Sequence, residues 1–221
     1  MTQSERVFER FCGERGLKLQ RIPEGESKSP DCYLEVGGRT LVVEVKQIDA
    51  NKEEALVLRK APDELNQDDA FHWDIPGERL RHKIASAMPQ LRILSSGKYP
   101  TLLVIYDNIQ VWPELTDEYA VRVAMYGVET ALITQEVAPE GGARILERWY
   151  GPRKTVSPRH NTTLSAIAVL CNEDDRSLMT AYHNWHASIP LERQVLALPG
   201  VEQFQLEDAP DSRFCQWKKI R

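Results

Sequence analysis

The chain has 221 residues, 42% apolar and 28% charged, with a formal net charge of −5. That balance excludes a disordered chain and a protein that coats nucleic acid through bulk charge, and the length suits one α/β domain. No apolar run reaches the roughly 18 residues of a membrane span, and the N-terminal Met-Thr-Gln-Ser-Glu-Arg does not read as a secretory leader, so a cytoplasmic protein is expected. Cys12, Cys32, Cys171 and Cys215 are scattered, with no Cys-x-x-Cys pair and no histidine at zinc-ligand spacing, which reads as reduced thiols.

Residues 4–15 read as a first helix, with Ser4 as its N-cap and Gly16 as its stop. Val7, Phe8, Phe11 and Cys12 make one apolar stripe; Glu5 lies at its border and Glu9 further round. Leu17 to Ile22 reads as a strand leading into a Gly/Ser/Pro loop, residues 23–30. Two β-rich runs, 31–36 and 40–46, then flank Gly37-Gly38, a signal for a two-residue type I′ turn. With those glycines as the turn residues, Val36 faces Arg39, Leu34 faces Leu41 and Asp31 faces Glu44. Opposed residues share a sheet face at about 4.5–5.5 Å. Lys46, two residues beyond Glu44, is on that face as well, while Leu41, Val43 and Val45 anchor the other. Two carboxylates this close repel unless a proton or a cation lies between them. A hard cation such as Mg²⁺, which takes one or two carboxylates and keeps several waters, fits the pair. A lysine beside it suits a phosphate oxygen, an attacking water or a developing negative charge.

At these residues the sequence resembles a known family. Pro30-Asp31, a spacer of twelve residues, then Glu44-Val45-Lys46 is similar to the signature of the PD-(D/E)XK nuclease superfamily, the restriction-endonuclease-like fold. The match covers residues 4–47 well and 78–107 loosely. It implies an αβββαβ core with a mixed central sheet flanked by helices, followed by extra C-terminal strands and helices of the same domain. It also implies Asp31 and Glu44 as metal ligands, the Val45 carbonyl as a further ligand, Lys46 as the catalytic lysine and Gln47 as the polar residue after it. Many members carry a glutamate on the first helix that completes the metal shell, often through water; Glu5 is the first choice and Glu9 the reserve. The implied cofactor is Mg²⁺, with Mn²⁺ as its substitute.

Residues 49–77 are polar and acidic, an expected insertion bounding the substrate groove, with a short helix at 51–60. Residues 78–95 read as a long helix, from Leu80, Ile84, Ala87, Met88, Leu91 and Leu94 at helical spacing, which Pro89 is expected to kink or split. Arg79, Arg81, His82 and Lys83 crowd its first turns as candidate phosphate contacts. In the resembled superfamily the corresponding helix often lends a basic or glutamine side chain to the site, which points to Gln90 and Lys83. Thr101 to Tyr106 is a continuous apolar run, the pattern of a buried central strand.

Residues 118–133 suggest another helix, 137–142 a loop, 143–149 a strand or short helix, and 164–170 a second buried strand. Arg153, Lys154, Arg159 and His160, in the loop 151–160, form a second positive cluster. Tyr182-His183-Asn184-Trp185-His186 reads as a structural stretch or as a metal or base-stacking site. The C-terminal stretch, with Trp217, Lys218, Lys219 and Arg221, is expected to dock or to contact nucleic acid.

The expected function is a Mg²⁺-dependent nuclease hydrolysing phosphodiester bonds in DNA, with RNA as the alternative substrate. Duplex cutting implies a homodimer, because two strands need two sites. Alternatively a partner subunit supplies target recognition, as in a restriction or anti-phage system. The other reading is a catalytically silent module of the same fold that binds nucleic acid or protein, or a nuclease subunit active only in a larger assembly.

Overall fold

The structure is a computed structural model and describes residues 1–23, 29–59, 75–95, 97–109, 115–137, 143–173, 176–210 and 216–220. Helix α1 (Gln3–Glu14) is followed by strands β1 (Lys18–Arg21), β2 (Cys32–Val36) and β3 (Arg39–Ile48). Helices α2 (Lys52–Val57) and α3 (Glu78–Ser95) lead to β4 (Thr101–Asp107) and α4 (Glu118–Tyr126). Strands β5 (Glu129–Val137), β6 (Ala143–Tyr150), β7 (Ala166–Glu173), β8 (Arg176–His183), β9 (Val201–Leu206) and β10 (Trp217–Ile220) complete the chain. The fold is mixed α/β. Eight strands form one sheet in the order β1-β2-β3-β4-β7-β8-β9-β10, and among the described residues β5 and β6 form a separate pair.

The centre of the sheet is parallel: β3 runs with β4, and β4 with β7. Strands covered on both faces need apolar side chains on both, which is why β4 is buried at every residue. Side-chain parity sorts the core into two layers. Leu41, Val43 and Val45 of β3 and Leu102 and Val104 of β4 pack with Phe8 and Phe11 of α1. Val42 and Ile48 of β3 and Leu103 and Ile105 of β4 pack with Leu80, Ile84 and Leu91 of α3 and with α4. Glu44 and Lys46 share the parity of Val42 and Ile48, so they belong to the α3 face.

The hairpin has the expected register, with Val36 opposite Arg39 and Leu34 opposite Leu41. Gly37 and Gly38 hold φ of 58° and 75°, the positive pair that a type I′ turn requires. Helix α1 begins earlier than expected. Thr2, not Ser4, caps it, its hydroxyl accepting from the Glu5 N–H at 3.3 Å.

Further along the chain, the split at Pro89 does not occur and α4 is shorter than expected. Helix α3 is one unbroken helix through Pro89. Buried Leu80 and Ile84 before the proline and Leu91 after it hold both halves to the sheet, which offsets a proline penalty of about 3 kcal/mol. Helix α4 ends at Tyr126, not at residue 133. Gly127 takes φ of 101°, where a Cβ would lie 2.5 Å from the Gly151 carbonyl oxygen, and β-branched Thr130, Ile133 and Thr134 continue as β5. Residues 143–149, whose pattern fits strand or helix, lie in β6.

The C-terminal stretch docks: Trp217 is buried, with its ring 5.9 Å from Tyr126 and 5.3 Å from Tyr182. Residues 24–28 of the first loop, 60–74 of the acidic insertion, 138–142, Cys215 and Arg221 lie outside the described residues. Among the described residues no helix is long and apolar enough to cross a membrane.

Candidate functional site

The site forms where β2 stops. The β2–β3 ladder ends at Cys32–Val43, one step before Asp31 and Glu44 would pair. Past that point the Val45 N–H has no strand partner in β2, and Asp31 Oδ2 accepts from it at 2.6 Å. A strand residue exchanges its N–H and C=O with the same side, so the Val45 carbonyl points toward Asp31 too. Glu44 lies next to this carboxyl with no solvent exposure at all. It pairs with the Lys46 ammonium, and neither of its oxygens has a hydrogen bond of good geometry among the described residues.

Burial is the main cause of the unusual acidity here. It raises the Glu44 carboxyl to about 7; the lysine works against that shift and the Asp31 carboxylate works with it. Burial also raises Asp31, opposed by the Val45 N–H and reinforced by Glu5.

Helix α1 closes the other side. Glu5, Glu9, Arg21 and Asp31 line a small cavity of about 10 Å³, the size of a single water site. Arg21 Nη1 donates to Glu5 at 3.0 Å and its Nε to Glu9 at 2.5 Å. Burial alone would raise the Glu5 carboxyl, but the bonds from Arg21 and Thr2 outweigh it and hold Glu5 below its ordinary value. Arg21 was not visible as a site residue. Its only sequence signal is a cation ending the strand that runs beside β2.

On the α3 face, Lys46 Nζ donates to Gln90 Oε1 at 3.2 Å, and Gln90 Nε2 donates to the Ser29 carbonyl at 3.1 Å. Gln90 thus ties the lysine to the entry of β2. Gln47 is not part of this cluster. Its parity turns it to the α1 face, where its Oε1 accepts from the Ser4 N–H at 3.0 Å and its Nε2 donates to Asp49.

The expected basic contacts divide. Lys83 lines an open cleft of about 440 Å³ with Asp49, Asn51, Glu78, Arg79 and His82. Arg79 lines it as well but is ion-paired with buried Glu54. Arg81 is corrected: it is buried, with its guanidinium on Glu78 and on the Pro76 and Val123 carbonyls. Arg153, Lys154 and Arg159 are exposed on their loop. His183 and His186 do not converge. His183 Nε2 lies 3.0 Å from Gln203 Oε1, and His186 packs its ring edge-on against Tyr126.

The donor set fits a hard cation. Asp31, Glu44 and the Val45 carbonyl offer only oxygen, and the buried Glu44 oxygens lack the hydrogen bonds that a structural carboxylate collects. Among the described residues no group of three or more histidine, cysteine, aspartate or glutamate side chains is arranged to hold a metal. Two carboxylates with water completing the shell is the complement that Mg²⁺ usually takes. No protein-family model matches this chain, and comparison with curated proteins and with solved structures finds no match.

Proposed function

We propose that the protein is a Mg²⁺-dependent nuclease of the PD-(D/E)XK type, hydrolysing phosphodiester bonds in DNA. The observation that carries this reading is Glu44: a fully buried carboxylate, short of hydrogen bonds, beside a second carboxylate and a lysine. Such an arrangement is costly unless a cation compensates it, and groups perturbed in this way concentrate at functional sites. With the short helix α2 of the insertion set aside, the order α1-β1-β2-β3-α3-β4, with β3 parallel to β4, agrees with the αβββαβ core of that superfamily.

Asp31 and Glu44 would hold the cation, the Val45 carbonyl would offer a third oxygen, and Glu5, which lines one cavity with Asp31, would act through water. A bound Mg²⁺ supplies charge neutralisation at the phosphate and a lowered pKa for its water. Lys46 stabilises charge developing on the phosphate oxygens, and Gln90 fixes the direction in which the ammonium points. Lys83 and its cleft continue the path of the substrate backbone.

The test compares supercoiled plasmid, linear duplex and single strands with Mg²⁺, Mn²⁺ and EDTA. Cleavage in Mg²⁺ or Mn²⁺, none in EDTA, and none by correctly folded Glu44→Ala or Lys46→Ala are the expected results. Wild-type activity in both variants overturns the assignment. A silent binding module is the second reading, favoured by the complete burial of Glu44 behind Lys46. It predicts no heat of Mg²⁺ or Mn²⁺ binding by calorimetry.

A further inference from the structure

Two stretches far apart in sequence, the basic loop 151–160 and the aromatic run 182–186, line one pocket. Tyr126, Tyr150, Lys154, Ser157, Pro158 and His186 enclose about 140 Å³. Tyr150 and His186 flank buried Tyr126, with ring centroids 6.4 and 6.2 Å from it. The Trp185 N–H donates to the Tyr126 hydroxyl at 3.1 Å, which fixes the turn carrying His186. Trp149 and Trp185, the chain neighbours of Tyr150 and His186, remain 42% and 41% exposed.

The basic loop is held in place before any ligand arrives. Thr155 Oγ1 donates to the Ala124 carbonyl at 2.7 Å, the Val156 N–H to Met125 at 2.9 Å, and Asn161 Nδ2 to the Thr155 carbonyl at 2.8 Å. Arg153 holds φ of 66°, a conformation unusual for a side chain of its size. The result is a fixed loop that presents Lys154, Arg159 and His160 to solvent beside an aromatic-walled cavity.

We propose that this pocket takes an unpaired base of a single-stranded nucleic-acid segment, with Lys154 and Arg159 on the adjoining phosphates. A cavity this small admits one planar heterocycle and no duplex. Aromatic faces with cations beside them are the combination that binds single strands with little sequence preference. The pocket also lies on a path to the cleft. Arg153, next to Lys154, is 3.8 Å from Glu78, and Glu78 lines the cleft with Lys83. As a statement about substrate this rests on the nuclease reading; as a statement about binding it is tested apart from hydrolysis.

The experiment measures fluorescence anisotropy of a labelled oligothymidylate of about 15 nucleotides, in EDTA so that nothing is cut, with a duplex of equal length in parallel. His186→Ala is expected to weaken single-strand binding about tenfold. Lys154→Ala, an exposed site that leaves the fold untouched, is expected to lower the slope of log K against log salt by about one. Duplex affinity is unchanged in His186→Ala. Single-strand affinity within twofold of wild type in both variants overturns the proposal, as does an equal loss on duplex in His186→Ala. If the pocket behaves as expected but no protein cuts in Mg²⁺, the nuclease reading fails and the pocket stands. If cleavage occurs and binding ignores both substitutions, the reverse holds.

Discussion

Among the described residues two glutamates are fully or almost fully buried, and they differ in what surrounds them. Glu54, 3% exposed, is saturated. Its Oε2 accepts the Asn51 N–H at 2.7 Å in a capping box, its Oε1 pairs with Arg79, and its own N–H donates to Asn51 at 2.9 Å. Glu44, wholly buried, has a lysine on one side, another carboxylate on the other, and no well-formed hydrogen bond among the described residues. Evolution can keep a buried charge for stability by satisfying it, as at Glu54. A buried charge left short is kept for what arrives later. Removing Glu54 should therefore damage the fold, and removing Glu44 should damage only chemistry.

The largest expected effect is on rate. Glu44→Gln keeps the shape and removes the charge, so cleavage should fall by at least about 10²–10³-fold. Glu54→Ala leaves half-buried Arg79 without this partner and the buried capping box without its acceptor, and should cost about 3 kcal/mol of stability, while the folded fraction keeps its activity per molecule. Urea melts alongside plasmid assays separate the two. Equal losses of activity at equal folded fraction would erase the distinction.

Stability should move the opposite way at Glu44. Without a cation the folded-state value of about 7 lies above the ordinary 4.5, so the folded protein binds the extra proton between those values. The unfolded state binds fewer protons there, so stability falls as pH rises from about 4.5 to about 7 and is level above. The neutral amide of the Glu44→Gln variant escapes that loss. This variant should therefore be more stable than wild type at pH 8 by up to about 3 kcal/mol, which raises Tm by about 6–12 °C. The Lys46 ion pair, which the variant loses, reduces that figure. Saturating Mg²⁺ should stabilise wild type and not the variant. A variant no more stable than wild type at pH 8 in EDTA refutes the unmet-charge account.

A smaller effect is expected at Gln90. Gln90→Leu keeps the volume on α3 but releases Lys46 Nζ and leaves the Ser29 carbonyl without its donor. Lys46 stays charged and close, so turnover should drop about tenfold, with little change in KM. A change in KM with kcat intact would instead make Gln90 a substrate contact.

The sequence revealed most where one local rule had no competitor. Gly37-Gly38 permitted a single tight turn, and the register of β2 and β3 followed from Val36–Arg39 to Cys32–Val43, one pair short of Asp31 and Glu44. The limits of α3 were legible because Leu80, Ile84, Ala87, Leu91 and Leu94 keep one period along the whole helix. Residues 118–133 misled because their alanines and valines satisfy both periods. What stops α4 is the Gly127–Gly151 approach, a contact between segments 24 residues apart in sequence. Gln47 was assigned by its position next to Lys46, although strand alternation already turns it the other way. The pocket of Tyr126, Tyr150 and His186 could not be read at all, because three separate elements build it.

The contrast between satisfied and unsatisfied charge also holds for the cations of α3, where the expected effects are smallest. Arg81 was expected on a phosphate, yet its guanidinium is spent on Glu78 and on two carbonyls, one from Pro76 and one from α4. Lys83, two residues on, has no ion pair among the described residues and borders the cleft. Arg81→Ala should therefore cost about 1–3 kcal/mol, because it strands those acceptors, and leave the salt dependence of DNA binding alone. Lys83→Ala should hold stability within about 0.5 kcal/mol and lower the slope of log K against log salt by about one. The slope is the informative readout, since each phosphate contact releases a nearly fixed number of counterions whatever the sequence bound. If Arg81→Ala lowers the slope and Lys83→Ala does not, the nucleic acid approaches from the α4 side of the helix, and the cleft beside β3 is not its path.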